Sequence, residues 1–250
     1  MSKRVSLCSR VWLLLCAALP AAATDIVIPG GGTLAQIVGG GPWITTITLV
    51  NLSGGSAPYA LHFIGDDGQP MTLATTAGTG SVLNGTLSSG ASTIIETNGA
   101  TDAPFQQGWA YVETLQNVPL AGSAVFRLTL PNSPVYEASL PLDSDAHYQY
   151  GLPFDHVDAN TGFALANSYS NQPLRVTMTF FDETGTQFFT DTFSMPGLSH
   201  QAFMLPDRYS QVTGKKGLVI VTADYYMNVL GLRARAGGFT TITPLVVQGW

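Results

Sequence analysis

Apolar and polar residues alternate with a period of two along much of this 250-residue chain. In the segment 175–180, Val176, Met178 and Phe180 fall on one face and the polar residues fall on the other. The segment 217–223 is almost entirely apolar, which is typical of a strand that is buried on both faces. We find no run with the 3.6-residue period of an amphipathic helix. The pattern therefore predicts an all-β protein built from many short strands.

Four short motifs occur twice along the chain, in the same order. The pairs, with the first copy before the second, are TLVN (48–51) and ALAN (164–167), FIGDDG (63–68) and FFDETG (180–185), GWAYV (108–112) and GLVIV (217–221), and LAG (120–122) and VLG (229–231). The offsets are 116, 117, 109 and 109 residues, so the register is nearly constant. The sequence therefore predicts an internal repeat.

Each copy has about the length of an immunoglobulin-like β-sandwich, roughly 100 residues. We therefore predict two tandem immunoglobulin-like β-sandwich domains after an N-terminal signal peptide. The predicted bounds are 1–23 for the signal peptide, 24–142 for the first domain, 143–161 for a linker and 162–250 for the second domain.

Three motifs give the chain a resemblance to a known group of proteins. They are GGGPW at 39–43, FIGDDG at 63–68, and LPFD at 152–155 followed by TGFALAN at 161–167. The chain resembles a group of uncharacterised secreted bacterial proteins that carry tandem immunoglobulin-like β-sandwich repeats. The resemblance implies the fold and export from the cell, and it brings no catalytic residues.

The first 23 residues have the pattern of a secretory signal. Lys3, Arg4 and Arg10 form a basic region, an apolar run follows at 11–19, and small residues end the segment at 21–23. The apolar run is shorter than a membrane span requires, and no basic cluster follows it, so a signal is favoured over a transmembrane anchor. We expect a secreted or extracytoplasmic protein, located in the periplasm, at the cell surface or in the medium, with no membrane span in the mature chain.

The cysteine content and the net charge of the chain limit how it can be stabilised and which partners it can bind. Both cysteines, Cys8 and Cys16, lie in the predicted signal, so the mature chain must be stabilised by its cores without disulfides. Without the three basic residues of the signal, seven basic residues face sixteen acidic ones, a net charge of −9. A chain with this charge and no basic patch is a poor partner for nucleic acid.

Acidic residues concentrate in the predicted linker. Six of the chain's twenty Asp, Glu and His residues lie between positions 143 and 158. Oxygen-rich clusters suit Ca²⁺, and the candidate ligands are Asp143, Asp145, Asp155, Asp158 and Asn160. The alternative is that an exposed linker is simply polar and acidic. Apart from this Ca²⁺ candidate no cofactor is expected: His147 and His156 are of a type that binds Zn²⁺, but the paired spacing of a zinc site is missing.

Tyrosines in likewise exposed segments are candidates for ligand binding, because flat rings can stack on sugar faces. Tyr148 and Tyr150 lie in the predicted linker, and Tyr225 and Tyr226 lie at a predicted hairpin. Exposed tyrosines serve protein interfaces equally well. The expected partners are therefore a polysaccharide or another envelope or extracellular protein, and exposed strand edges also permit self-association.

We find no recognisable catalytic motif. The Gly-x-Ser-x-Gly elbow of hydrolases is missing, and Ser199 and His200 are adjacent only in sequence. The expected function is therefore that of a secreted, non-catalytic β-sandwich protein with a structural, adhesive or surface-interaction role. A carbohydrate-binding module is one alternative, and a hydrolase with an unrecognised site is another.

Overall fold

A computed structural model of the chain describes residues 31–99, 103–114, 118–236 and 238–247. The predicted signal peptide, 1–23, lies outside the described residues. The described part is all-β, as predicted. Its strands are β1 (Gly32–Gly39), β2 (Trp43–Asn51), β3 (Ala57–Gly65), β4 (Leu73–Thr75), β5 (Gly78–Gly80), β6 (Val82–Leu87), β7 (Ser92–Glu96), β8 (Gln106–Thr114), β9 (Leu120–Thr129), β10 (Val135–Pro141), β11 (His147–Asp155), β12 (Asn160–Ala166), β13 (Leu174–Asp182), β14 (Gln187–Met195), β15 (His200–Met204), β16 (Lys216–Arg235), β17 (Gly238–Ile242) and β18 (Leu245–Val246).

Helical structure is confined, in the described part of the chain, to two short turns. They are the helix α1 (Leu205–Arg208) and a 3-10 turn at Ser210–Val212. Within the same ranges, no helix has the length and apolar character that a membrane crossing requires.

The first half of the chain forms two four-stranded antiparallel sheets that face each other. Their strand orders are β1-β8-β3-β6 and β10-β9-β2-β7, and β4 and β5 form a separate hairpin. Alternate residues of β2, such as Ile47 and Leu49, point into the core, where they meet Leu61 and Phe63 of β3. The period-two pattern of the sequence thus forms the inner faces of a β-sandwich.

The second half is built around one long strand. The first part of β16, up to Met227, pairs with β11 and β13, and β14 continues this sheet beyond β13. From Asn228 onward, β16 pairs with β12 and β17, and β15 continues that sheet beyond β12. A single strand of 20 residues therefore belongs to both sheets.

The two halves share one strand order. The order β1-β8-β3-β6 corresponds to β11-β16-β13-β14, and β10-β9-β2-β7 corresponds to β17-β16-β12-β15. In this correspondence β16 takes the place of both β8 and β9.

The segment 143–161, which the sequence analysis assigns to a linker, contains a core strand instead. Strand β11 buries Tyr150, Leu152 and Phe154 in the second core. Pro153 is tolerated because β18 pairs with β11 only at Tyr150 and Gly151, so no further strand needs a hydrogen bond from position 153. The second sheet pair therefore begins at β11, and the linker assignment is wrong over this strand.

Two buried asparagines have matching surroundings in the two halves. The Nδ2 group of Asn51 donates to the carbonyl oxygens of Gly55, Leu87 and Ser88, at 2.7 to 3.2 Å. Its Oδ1 atom accepts from the backbone N–H two residues later, at Ser53.

Asn167 repeats this arrangement. Its Nδ2 group donates to the carbonyl oxygens of Gln172, Met195 and Pro196, and its Oδ1 atom accepts from the N–H of Tyr169. Each asparagine thus ties the end of a strand to two neighbouring loops, which explains why an amide is tolerated in a fully buried position.

The two halves pack tightly on each other. Ala164 and Leu230, from β12 and β16, belong to the apolar cluster of the first half. The buried Trp109 of β8 packs against Ala166 and donates its Nε1–H to the carbonyl oxygen of Leu198 at 2.8 Å. The sheet that contains β12 is therefore covered on both faces, which explains the nearly continuous burial of that strand.

The acidic turn at 65–69 adds a polar contact to this interface. Asp66 Oδ1 lies 2.7 Å from Nδ1 of His200, and the N–H of His200 donates to the carbonyl oxygen of Asp66. The corresponding turn at 182–186 has the same backbone hydrogen bond, from Asp182 N to Thr186 O, but its tip makes no such contact with the other half.

Candidate functional site

The long strand β16 bulges where it passes from one sheet to the other. His147 of β11 pairs with Met227, whereas Gln149 pairs with Thr222, so one residue of β11 faces four residues of β16. A bulge turns side chains away from the regular alternation of a strand. Here it leaves Tyr225 and Tyr226 exposed by 38% and 42%.

Four tyrosines gather at this bulge, and we call them the tyrosine cluster: Tyr148, Tyr169, Tyr225 and Tyr226. The ring centroids of Tyr148 and Tyr226 lie 4.1 Å apart, and those of Tyr169 and Tyr225 lie 5.4 Å apart. The pKa of Tyr148 is raised, first by its hydrogen bond with Tyr226, and Tyr169 and Tyr225 raise it further through their charges. The two ring pairs are therefore neighbours on one surface.

A cavity of about 270 Å³, which we call the acid pocket, adjoins the tyrosine cluster. Tyr169 and Tyr226 form part of its wall, together with Asp143, Asp145 and Asn228. Gly32 and Thr33 of β1 complete another side, so the acid pocket lies where the first half meets the crossing of β16. We refer to the tyrosine cluster and the acid pocket together as the tyrosine–acid site.

Backbone hydrogen bonds fix the acidic side of the site. Asp143 and Thr33 exchange two backbone hydrogen bonds, at 2.7 and 2.9 Å, which attach the segment after β10 to β1. The Asp143 carboxylate accepts the N–H of Asp145 at 2.9 Å. Burial raises the pKa of Asp143 and the charge of Asp145 adds to that effect, whereas the hydrogen bond from the N–H of Asp145 and the charge of His147 oppose it. Two carboxylates, one half-buried and one exposed, therefore lie together in the wall of the acid pocket.

Asn228 forms the inner wall of the pocket. Its residue is only 2% exposed, and its Oδ1 atom is buried without a hydrogen-bond partner. The same side chain also lines an adjoining cavity of about 300 Å³, together with Asp143, Asp145 and His147. A buried acceptor without a donor is costly in a folded protein, and Asn228 is a residue with such an acceptor in the wall of both cavities.

Tyr150 is not part of the exposed surface, contrary to the expectation from sequence. It is 3% exposed, and its hydroxyl donates to the carbonyl oxygen of Met227 while it accepts the N–H of His147. Burial raises its pKa strongly. Tyr150 thus holds the backbone at one end of the bulge through hydrogen bonds in the interior. The other three tyrosine candidates, Tyr148, Tyr225 and Tyr226, are exposed at the surface.

The five calcium candidates do not converge. Asp143 and Asp145 precede β11, whereas Asp155, Asp158 and Asn160 lie at or beyond its far end, and eight strand steps span about 26 Å. In the described ranges, no group of three or more His, Cys, Asp or Glu residues is arranged to hold a metal ion. The single calcium site expected from the sequence is therefore not formed by these residues.

The acids at the far end of β11 are engaged with basic residues. Asp155 accepts from Arg233 at 2.7 Å, and Asp158 accepts from Lys216 at 2.6 Å. The N–H groups of Asp158 and Val157 also donate to Asp155. These acids close the β11–β12 connection.

Ser199 and His200 do not form a nucleophile–base pair in this arrangement. The Ser199 hydroxyl donates to the carbonyl oxygen of Pro196, and His200 faces Asp66 across the interface. Nε2 of His200 is buried without a partner. The contact between Asp66 and His200 spans 134 positions of sequence, so nothing in the local pattern could predict it.

Two further residues of the site, Tyr169 and Asn228, lie beside the repeated motifs of the sequence. Tyr169 follows the repeated asparagine by two positions, where its N–H is held by Asn167. Asn228 follows the tyrosine pair at 225–226 by two positions and starts the part of β16 that belongs to the other sheet. Both residues lie next to repeat motifs at points where the two copies differ.

A third cavity, of about 350 Å³, lies between the halves. Its wall is mostly apolar and includes Trp43, Phe105, Phe163 and Phe203. It is separate from the tyrosine–acid site in its lining residues.

Comparisons with protein-family models, curated proteins and solved structures found no match to this chain.

Proposed function

We propose that this chain is a secreted, non-catalytic β-sandwich protein with a surface-interaction role, and that it binds a saccharide at the tyrosine–acid site. The observation that carries the proposal is a cavity lined by two tyrosines, two carboxylates and a buried amide, with two further tyrosine rings packed beside it. The extracytoplasmic location is supported by the signal-like pattern at 1–23 and by the absence of cysteine after position 16.

The site provides partners for both the C–H groups and the hydroxyl groups of a sugar. The C–H groups of a sugar ring stack on aromatic rings, and three tyrosines here, Tyr148, Tyr225 and Tyr226, are more than a third exposed. The hydroxyl groups of a sugar are donors, and Asp143 and Asp145 provide carboxylate acceptors beside the rings. A small cavity with aromatic walls and a few placed polar groups is the usual form of a ligand site.

We also propose that the chain consists of two tandem immunoglobulin-like domains that arose by duplication. Support comes from the shared strand order and from the matching networks of Asn51 and Asn167. Gly108 and Gly217 add a further match, because a Cβ atom at either position would lie 1.9 Å from a carbonyl oxygen of the neighbouring strand. The resemblance to secreted bacterial proteins with tandem repeats has the same implication.

The proposed function is tested by a glycan array, followed by calorimetric titration of the glycans that bind. We expect Tyr226→Ala to weaken binding by about ten-fold or more, because stacking on an aromatic ring contributes substantially to recognition. Phe105→Ala is the matched control, because Phe105 is an exposed aromatic residue at the cavity between the halves. Binding that is absent, or that is equally affected by both substitutions, would refute the proposal.

The same titrations address the hydrolase alternative. The bound glycans are recovered after long incubation and examined by mass spectrometry for cleavage. Intact glycans are expected. Cleavage products that disappear with Tyr226→Ala would replace the non-catalytic proposal by an enzymatic one.

Self-association through a strand edge remains a further proposal about partners. Strand β14 ends its sheet and pairs, among the described strands, with β13 alone. Light scattering over a range of protein concentrations tests it, and a mass that stays at one chain would refute it.

A further inference from the structure

We infer that the tyrosine–acid site recognises an ammonium group, so that the saccharide it binds carries free amines. This inference rests on the proposed saccharide function and adds the substrate class. It depends on three independent features of the site: its charge, its unsatisfied acceptor and its aromatic faces.

The charge of the site is negative. Asp143 and Asp145 line both the acid pocket and the adjoining cavity. Among the described residues that line these two cavities, none is Lys or Arg, and His147 is the only basic side chain. An anionic saccharide, such as a uronic acid or a sulfated sugar, would be repelled, whereas a cation would be attracted.

The second feature is the unpaired acceptor of Asn228. Its Oδ1 atom is buried without a partner in a side chain that lines both cavities. The carboxylates of Asp143 and Asp145 are acceptors as well. A ligand that fills such a site must bring several donors, and an ammonium group carries three N–H donors together with a positive charge.

The third feature is the tyrosine cluster. Aromatic faces attract cations through the ring quadrupole, and groups of such rings form the cages that bind ammonium ligands. Tyr169 and Tyr226 belong to the wall of the acid pocket, and the rings of Tyr148 and Tyr225 stand beside them. A cation in the pocket would therefore meet carboxylates on one side and rings on the other.

The ammonium group has two chemical sources that the experiment must separate. A primary ammonium is found on glucosamine oligomers, and a quaternary one on phosphocholine. The saccharide is favoured because the pocket provides acceptors for N–H groups, which a quaternary ammonium lacks.

Calorimetric titration of the chain without residues 1–23 tests the inference at about pH 6, where glucosamine is protonated. The probes are glucosamine oligomers, N-acetylglucosamine oligomers of equal length, galacturonate oligomers and phosphocholine. We expect glucosamine oligomers to bind about ten-fold tighter than the acetylated ones, because acetylation removes the charge from the nitrogen. We expect no binding of galacturonate.

Asp145→Asn separates charge from shape at this site. It removes one of the two carboxylate charges, so it should lower the ten-fold preference to about three-fold, whereas any loss of hydroxyl contacts should weaken both kinds of oligomer alike. Glu183→Gln is the matched control, because it removes one exposed acidic charge from the free turn of the second half. The control should keep the preference.

The outcomes distinguish the two proposals. Equal affinity for the two kinds of oligomer, lost with Tyr226→Ala, would overturn the ammonium inference and support the saccharide function. Binding of phosphocholine but of no saccharide would overturn the saccharide function and support recognition of an ammonium group. Binding of none of the probes, in a glycan array as well as in titration, would overturn both.

Discussion

The two halves of the chain share one strand order but differ in the side chains that they expose. Asn51 and Asn167 make matching hydrogen bonds, but the residue whose N–H they hold is Ser53 in the first half and Tyr169 in the second. In the first half, β8 and β9 are separate strands that belong to different sheets. In the second half, the single strand β16 crosses from one sheet to the other and carries two exposed tyrosines at the crossing. The matching positions of the two halves hold strands and loops together, whereas the tyrosines of the site lie at positions that do not match.

The largest expected difference between corresponding positions is at Trp109 and Leu218. Trp109 is fully buried between the halves and donates to Leu198, whereas Leu218 is only partly buried. Trp109→Ala should lower the free energy of unfolding by about 3–5 kcal/mol, and Leu218→Ala by about 1–2 kcal/mol. Urea denaturation measures both. Equal losses would mean that the interface between the halves adds nothing to the burial of Trp109.

The two asparagines should, in contrast, behave alike. Asn51→Ala and Asn167→Ala each leave three carbonyl oxygens without their side-chain donor. We expect each to cost about 2–3 kcal/mol in urea denaturation, with values within about 1 kcal/mol of each other. The exposed Asn171→Ala is the control and should have little effect. A cost at one asparagine alone would contradict the correspondence of the two networks.

A smaller difference in stability is expected between substitutions in the two acidic turns. Asp66 contacts His200 and Gln107, whereas Glu183, at the corresponding position, is exposed in the free turn. Asp66→Ala should cost about 1–2 kcal/mol, since it removes the hydrogen bond with His200 across the interface and the one with Gln107 of the same half. Glu183→Ala should have no measurable effect on the midpoint of thermal unfolding. A similar loss for both would show that the turn itself, and not its docking, provides the stability.

The smallest expected effect concerns the connections between the first two strands of each half. Glycines form the β1–β2 connection, whereas Asp155 closes the β11–β12 connection. The N–H of Asp158 has the largest effect and lowers the pKa of Asp155; burial opposes it, and the guanidinium of Arg233 and the N–H of Val157 lower the pKa further. The folded state therefore binds this proton less readily than the unfolded state, so the stabilisation is present above the ordinary pKa of Asp and is lost as the pH falls.

Thermal unfolding between about pH 7 and pH 2 tests this expectation. The midpoint should fall on acidification, and Asp155→Asn should start slightly lower at neutral pH and fall less. A variant with the same pH profile as the original chain would contradict the role of Asp155.

The sequence predicts the fold where local pattern and packing agree. The alternation at 175–180 corresponds to β13, and the apolar run at 217–223 corresponds to the part of β16 that β11 and β13 flank. Strand β11 is missed because acidic residues and Pro153 surround its apolar positions. The alternation of Tyr150, Leu152 and Phe154 is nevertheless present and indicates a strand.

The candidate site is only half predictable, for a physical reason. Tyr148, Tyr225 and Tyr226 are visible as tyrosines in turn-like segments, and Asp143 and Asp145 as part of an acidic run. Their convergence depends on the register shift between β11 and β16, which the sequence does not reveal. Asp155 and Asp158 appear close to the other acids along the chain, but an extended strand carries them to the opposite end of the sheet.

The packing of Ala164 and Leu230 into the first apolar cluster has a consequence for how the chain matures. The N-terminal half is synthesised first. Leu230, which packs on its apolar cluster together with Ala164, becomes available only when nearly the whole chain has been synthesised. An isolated N-terminal fragment would expose the apolar surface that Ala164 and Leu230 cover in the whole chain, and it would tend to aggregate. The first half should therefore reach its full stability only after β12 and β16 have been synthesised.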